Sequence, residues 1–210
     1  MFSTPERIQT NSTVFRAAAL IVAFAVIAGC ATVPVRTSGG IVVESDDEIA
    51  ITARYYSAEE LRDRFTRRDN PFVAPLMLFT PVEFLVFDMT IETADPRSII
   101  DSGEIELSYD GEQYVAQTPR QLLRFWRGTA VYNDLSGLRL RRFEQLVNRE
   151  LLTRPPAEKN GAATGLVIFR ARRFPDEGRV SISVPVTSLA TGRTTRHRIA
   201  FRLTEVEQTE

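Results

Sequence analysis

The feature that most constrains the fold is a strict period-two alternation of apolar and polar residues near the end of the chain. Apolar side chains occupy every second position of residues 180–186 and again of residues 199–203, with a turn at residues 190–192 between them. Residues 49–56 show the same pattern. This period is typical of strands with one buried and one solvated face. The chain is therefore expected to be mainly β, with short turns between antiparallel strands.

Residues 76–93, which carry the strongest strand signal, depart from this pattern. Leu85, Phe87, Met89 and Ile91 share one face, whereas the other face carries apolar residues at 82, 84 and 86 before it becomes polar. A strand that is apolar on both faces is predicted to lie in the middle of a sheet that is covered on each side. Asp110-Gly111 separates two further strand patterns and predicts a two-residue hairpin, because both central residues must take positive φ.

Three stretches are predicted to be helical insertions, at about 58–67, 119–127 and 136–152. Ser57 and Glu60 form a capping-box pattern before the first, and Pro119 suits the first turn of the second. The third carries apolar residues at spacings of three and four. Such a stripe either docks on the domain's own sheet or binds a partner, and the sequence leaves both possibilities open.

The start of the chain has the organisation of a secretory leader. Residues 17–29 are thirteen uncharged residues. As a helix they would span about 20 Å, short of the roughly 30 Å hydrocarbon core. The run ends in Ile27-Ala28-Gly29-Cys30, which resembles the bacterial lipobox. This resemblance implies a signal peptide at 1–29, lipidation of Cys30 by diacylglycerol and a further acyl chain such as palmitate, and a tether at 30–40.

Ala31 stands where an aspartate would retain a lipoprotein at the inner membrane. The resemblance therefore implies a bacterial envelope protein, lipid-anchored at the outer membrane and facing the periplasm. The leaflet of anchoring stays open.

Residues 41–207 are expected to form a single domain, an antiparallel β-sandwich with the helical insertions named above. It resembles the immunoglobulin-like (telokin-like) extracytoplasmic domains of bacterial lipoproteins, through Phe87–Glu92, Ile105–Tyr114 around Asp110-Gly111, Gly165–Phe169 and the strand after Gly178. This resemblance implies a fold and a location, not a reaction. The helices between residues 119 and 152 are a departure from it.

The residue inventory excludes several kinds of chemistry. One cysteine and one histidine, His197, allow no cysteine-based metal cluster and few nucleophile–histidine pairs. No glycine-rich phosphate loop is present, and the net charge of −1 gives no reason to expect nucleic-acid binding. Glu104 and Glu106 could act on a glycosidic bond only in a cleft. We expect no metal, no cofactor and no catalytic residue.

One surface is a candidate for binding. Arg170, Arg172, Arg196, Arg198 and Arg202 have the parity to project from one sheet face, provided that the last strand neighbours residues 166–173. Such a basic patch would suit an anionic partner, either an envelope protein or an anionic envelope polymer or lipid phosphate. The alternative is a solvated face with no partner.

The sequence thus favours a non-catalytic envelope lipoprotein, a binding or assembly module whose partner is unknown. Two other classes stay open. One is an envelope hydrolase with a carboxylate site that we cannot place. The other is a solute-binding lipoprotein with an aromatic-lined cavity that uses Trp126 and Tyr132.

Overall fold

The alternating residues form two antiparallel sheets that face each other. The structure, a computed structural model, describes residues 36–37, 41–45, 49–65, 70–75, 81–95, 97–130, 135–152, 162–175 and 177–205. All of them belong to one compact unit, Pro34–Glu210. The predicted signal peptide and Cys30 lie outside the described residues. The predicted mainly-β, antiparallel architecture is confirmed at this level.

The described part of the chain contains ten strands and three α-helices. The strands are β1 (Arg36–Thr37), β2 (Ile41–Ser45), β3 (Ile49–Tyr56), β4 (Glu83–Thr93), β5 (Ser98–Ile100), β6 (Glu106–Tyr109), β7 (Glu112–Val115), β8 (Ala162–Ala171), β9 (Gly178–Ser188) and β10 (Thr194–Glu205). The helices are α1 (Ala58–Arg64), α2 (Pro119–Thr129) and α3 (Gly137–Glu150). A 3-10 turn, Ser102–Glu104, precedes β6.

The strands divide into two sheets. Sheet A has the order β1-β10-β9-β6-β7, with β5 also paired to β9, and sheet B has the order β2-β3-β4-β8. The predicted hairpin between β6 and β7 is confirmed, with φ of 50° at Asp110 and 87° at Gly111. The predicted tether contains β1, which pairs antiparallel with the end of β10. Sheet A therefore begins before residue 41.

One apolar cluster fills the space between the sheets. Every second residue of the main strands contributes to it, including Leu85 and Phe87 of β4 and Ile182 and Val184 of β9, all fully buried. Burial of these side chains, at about 1.5–3 kcal/mol each, is the main stabilising contribution to the sandwich. The two sheets thus form the layers that the alternation predicts.

A second apolar cluster lies on the outer side of sheet B. There Val86, Leu166 and Ile168 pack against the helices, including Trp126 of α2 and Phe143 of α3. The prediction that β4 is covered on both faces is confirmed. The apolar stripe of α3 docks on the domain's own sheet. The layers of this part of the molecule are therefore sheet A, sheet B and helices.

Capping side chains fix the helix boundaries. The Ser57–Glu60 capping box is present, and Thr118 with Gln121 forms a second one that the sequence analysis missed. Helix α1 ends at Arg64, and α3 ends at Glu150 instead of the expected residue 152. The prediction of helix at 151–152 is wrong because this segment pairs with strand β8.

The helical insertion is held to the outer edge of β8 at both of its ends. Before α2, the amide of Gln117 donates to the carbonyl of Ile168 over 2.7 Å. After α3, the amide of Leu152 donates to the carbonyl of Leu166 over 2.8 Å. These contacts occupy backbone groups of an edge strand that would otherwise be available for pairing.

Candidate functional site

The structure places the five candidate arginines on two different sheets. Residues 162–171 form β8 in sheet B, whereas Arg196, Arg198 and Arg202 lie on β10 in sheet A. The condition for a single patch, that the last strand neighbours residues 166–173, is not met. The prediction of one five-arginine surface is therefore wrong. Its physical reason is that β10 pairs with β9 and β1, while β8 pairs with β4.

Arg170 belongs to the helical side of sheet B. Arg170 has the parity of Leu166 and Ile168, which pack under the helices. Its guanidinium lies 5.1 Å from the ring centroid of Phe125 in α2, a cation–π geometry. Arg172 is exposed just beyond the end of β8. Arg170 therefore does not share a surface with the arginines of β10.

The three β10 arginines do share a face, and a fourth joins them. On β10 the inward positions are held by Ile199 and Leu203, so Arg196, Arg198 and Arg202 point to the outer side of sheet A. Arg179 of β9 lies directly opposite Arg202 in the strand register. We call these four exposed residues, Arg179, Arg196, Arg198 and Arg202, the arginine face.

Small hydroxyl and methyl side chains fill the centre of the arginine face. In the register, Ser183 lies between Arg198 and Glu106, and Ser181 lies between Ala200 and Ser108. Because these side chains are short, the exposed guanidinium groups project beyond them into solvent. The arrangement can donate many hydrogen bonds to anions, since each guanidinium carries five N–H groups.

One carboxylate accompanies the arginines. Among the described outward positions of the strands of sheet A, Glu106 is the single acidic residue. Its Oε2 lies 3.4 Å from Nη1 of Arg196, and the two side chains are 42% and 51% exposed. An ion pair with this exposure contributes about 0.2–1 kcal/mol. It leaves the face with an excess of positive charge.

Arg179 was missed by the sequence analysis, although a signal existed. The residue immediately precedes Val180, the first of the alternating apolar positions of β9. Extending the alternation by one residue places Arg179 on the outward side. The predicted turn at 190–192 then brings β9 and β10 together, as their antiparallel register confirms.

A second charged cluster lies on the opposite side of the molecule, where α1 and α3 meet sheet B. Arg64 Nη1 donates to Asp88 Oδ2 and to Tyr56 Oη, each over 3.0 Å, and Nη2 lies 3.5 Å from Glu150 Oε2. Partial burial alone would lower the pKa of Arg64. The hydrogen bond to Asp88 and the neighbouring Tyr56 outweigh it and raise the pKa. Because these groups come from four elements, the cluster ties α1 and α3 to the sheet.

Sequence spacing gave no sign of this cluster. One of its hydrogen bonds, from Arg64 to Glu150, joins residues that are 86 positions apart. The carboxylates already pair with guanidinium groups, since Arg149 Nε also lies 2.7 Å from Glu150 Oε1. The cluster therefore has the composition of a set of ion pairs that stabilises the fold.

The remaining sequence candidates occupy ordinary positions. His197 is half-buried on the inward side of β10, opposite Val184. Glu104 lies in the 3-10 turn and Glu106 in β6, so the two do not share one strand. Trp126, the suggested cavity residue, is 4% exposed and donates from Nε1 to the carbonyl of Pro71 over 2.9 Å. Tyr132 lies outside the described residues.

The described segments lack two further kinds of feature. No three His, Cys, Asp or Glu side chains in these segments converge to hold a metal ion. None of the helices described is long and apolar enough to cross a membrane.

No protein-family model matches the sequence, and no curated protein matches it.

Proposed function

We propose that the chain is a non-catalytic lipoprotein of the bacterial envelope, anchored by acyl chains on Cys30 and serving as a binding or assembly module. The observation that carries this proposal is the sequence Ile27-Ala28-Gly29-Cys30 at the end of a thirteen-residue uncharged run. A thiol at that place can form a thioether with diacylglycerol. Several acyl chains, at about 0.8 kcal/mol per buried methylene, would anchor the protein permanently. The outer membrane, facing the periplasm, is the location that Ala31 favours.

The arginine face supports a binding role over a catalytic one. Its guanidinium groups are exposed on the outer side of a sheet, where they can meet a partner but do not enclose a small substrate away from water. An envelope hydrolase or a solute-binding lipoprotein would instead require converging groups in a cavity. The four arginines favour a partner that is anionic.

We further propose that the sandwich is immunoglobulin-like. The order β3-β4-β8 in sheet B corresponds to the A-B-E strands of that fold, and the order β10-β9-β6-β7 in sheet A corresponds to G-F-C-C′. In this correspondence α2 and α3 stand between C′ and E, where strand D occurs in other members. Superposition of an experimental structure on immunoglobulin-like domains tests this proposal, which fails if these seven strands do not align in order.

The anchor is tested by replacing Cys30 with serine in cells fed labelled fatty acid. We expect label on the wild-type protein, none on C30S, and release of C30S from the membrane fraction. C30A serves as a second variant, because alanine has neither the thiol of cysteine nor the hydroxyl of serine. A wild-type protein without label, or a variant that keeps it, would contradict the proposed lipidation.

A further inference from the structure

The arginine face carries an electrostatic cost in the isolated domain. Arg179 and Arg202 lie directly opposite each other on neighbouring antiparallel strands. Like charges in this position destabilise a sheet, because their Cβ atoms are about 5 Å apart. Arg198 follows on the same side of β10, four residues from Arg202. An anionic surface placed against these residues would remove the repulsion.

The same face lies beside the point where the chain enters the domain. Arg36 and Thr37 of β1 pair with Glu205 and Thr204 of β10, next in the strand to Leu203 and Arg202. Cys30 precedes Arg36 by six residues. At no more than about 3.6 Å per residue, this segment spans at most about 22 Å. A lipid on Cys30 would therefore keep the end of β10 near the headgroups of its membrane.

We propose that the arginine face rests on the anionic headgroups of the membrane that anchors the chain, which fixes the orientation of the domain. This proposal depends on the lipid anchor proposed above. The face is positively charged and its arginines are exposed, and phosphate oxygens suit bidentate binding by guanidinium. The helices then point away from the membrane, because they cover the outer side of the opposite sheet.

Lipid-facing arginines should make this orientation dependent on anionic lipid. A basic residue near such a surface contributes about 1 kcal/mol, which corresponds to about a fivefold change in an equilibrium constant. Loss of two arginines should therefore lower the equilibrium constant between docked and undocked orientations by about thirtyfold, and reversal of their charge by more. High salt should have the same effect in the wild-type protein.

The test uses the lipidated protein in phosphatidylcholine vesicles with or without phosphatidylglycerol. A fluorophore is placed at A200C, in the centre of the arginine face, or at N148C, on the exposed side of α3. A quencher attached to the lipid headgroups reports contact. We expect strong quenching at position 200 with phosphatidylglycerol, weak quenching there without it, and weak quenching at position 148 in both cases.

Two double variants distinguish the effect of the arginine face from the effect of arginines elsewhere on the domain. R196E/R198E should lose the quenching at position 200, whereas R120E/R124E, on the exposed side of α2, should keep it. Circular dichroism checks folding, and the salt dependence of the wild-type protein remains a test if R196E/R198E does not fold. Equal quenching at positions 148 and 200, or no effect of phosphatidylglycerol or salt, would overturn the proposal. If purified cell-wall polymer displaces the arginine face from the vesicles, that polymer and not the membrane would be the partner of the face.

Failure of this proposal and failure of the anchor are distinguishable. If Cys30 carries label but the probe at position 200 is not quenched, the anchor stands and the orientation is wrong. If the wild-type protein carries no label, the anchor itself is wrong.

Discussion

Replacing Gly165 of β8 with alanine should strongly destabilise the domain. A Cβ at this position would lie 2.6 Å from the amide nitrogen of Leu152, 2.7 Å from its Cα and 2.9 Å from the carbonyl carbon of Leu151. All three are backbone atoms, so no side-chain rotation can relieve the contact. Glycine is required here because the chain leaving α3 passes directly against β8.

The size of the effect follows from what must move. Ordinary contact begins at 3.4 Å, so the 151–152 segment would have to retreat by most of an ångström. That shift would weaken the 2.8 Å hydrogen bond from Leu152 to Leu166. Overpacking costs about 1–3 kcal/mol and an unsatisfied buried backbone group about 1–3 kcal/mol. We therefore expect G165A to lower the free energy of unfolding by about 2–6 kcal/mol.

Urea denaturation of residues 30–210 carrying Cys30→Ser measures this change. Gly128, near the end of α2, provides a matched control, because a Cβ there meets nothing within 4 Å. Alanine at this helical position should stabilise the domain by up to about 1 kcal/mol. If G165A unfolds within about 0.5 kcal/mol of the wild type, the range of a neutral surface substitution, the close passage of residues 151–152 over β8 would be refuted.

Two further predictions concern individual polar groups. Asn70 is 7% exposed; its side chain donates to the Leu61 carbonyl over 2.7 Å and accepts from the Phe72 amide over 3.0 Å. N70A should therefore lower the free energy of unfolding by about 2–4 kcal/mol in urea melts, and a cost no greater than that of N148A would contradict this role. Burial is the largest cause that raises the pKa of Tyr114 from 10.0 to about 12, and the hydrogen bond to Glu112 is the next. The protonated Tyr114 therefore contributes to the free energy of unfolding below pH 10, and this contribution is lost as the pH rises toward 12. Ultraviolet titration of the wild type against Y114F should show a tyrosine that ionises near pH 12, and a midpoint near 10 would refute the contact.

Local patterns predicted much of the fold because strands, turns and caps depend on neighbouring residues. The alternation around Val184, the positive φ values at Asp110 and Gly111, and the Ser57 cap are decided within a few positions of the chain. The two apolar faces of β4 even revealed a covering layer on each side. These predictions required no knowledge of distant partners.

Local sequence patterns could not predict which strands pair with each other. Parity places Arg170 and Arg198 each on one side of a strand, but it does not say which sheet the strand joins. That choice depends on packing between segments far apart in sequence, here β4 with β8 and β9 with β10. The Arg64 cluster is an extreme case, since it assembles residues from four elements. The arginine face was therefore recovered only in part, with three members correct and Arg179 absent.

The antiparallel pairing of β1 with β10 has a mechanical consequence. Any force that pulls on the chain from the side of Cys30 reaches the domain first at Arg36 and Thr37, which are held by pairing with Glu205 and Thr204. Two residue pairs resist such a load far less than the ten that join β10 to β9. If Cys30 carries the proposed lipid, detachment of β1 would lengthen the link between the lipid and the domain while the ten pairs that join β10 to β9 stay in place.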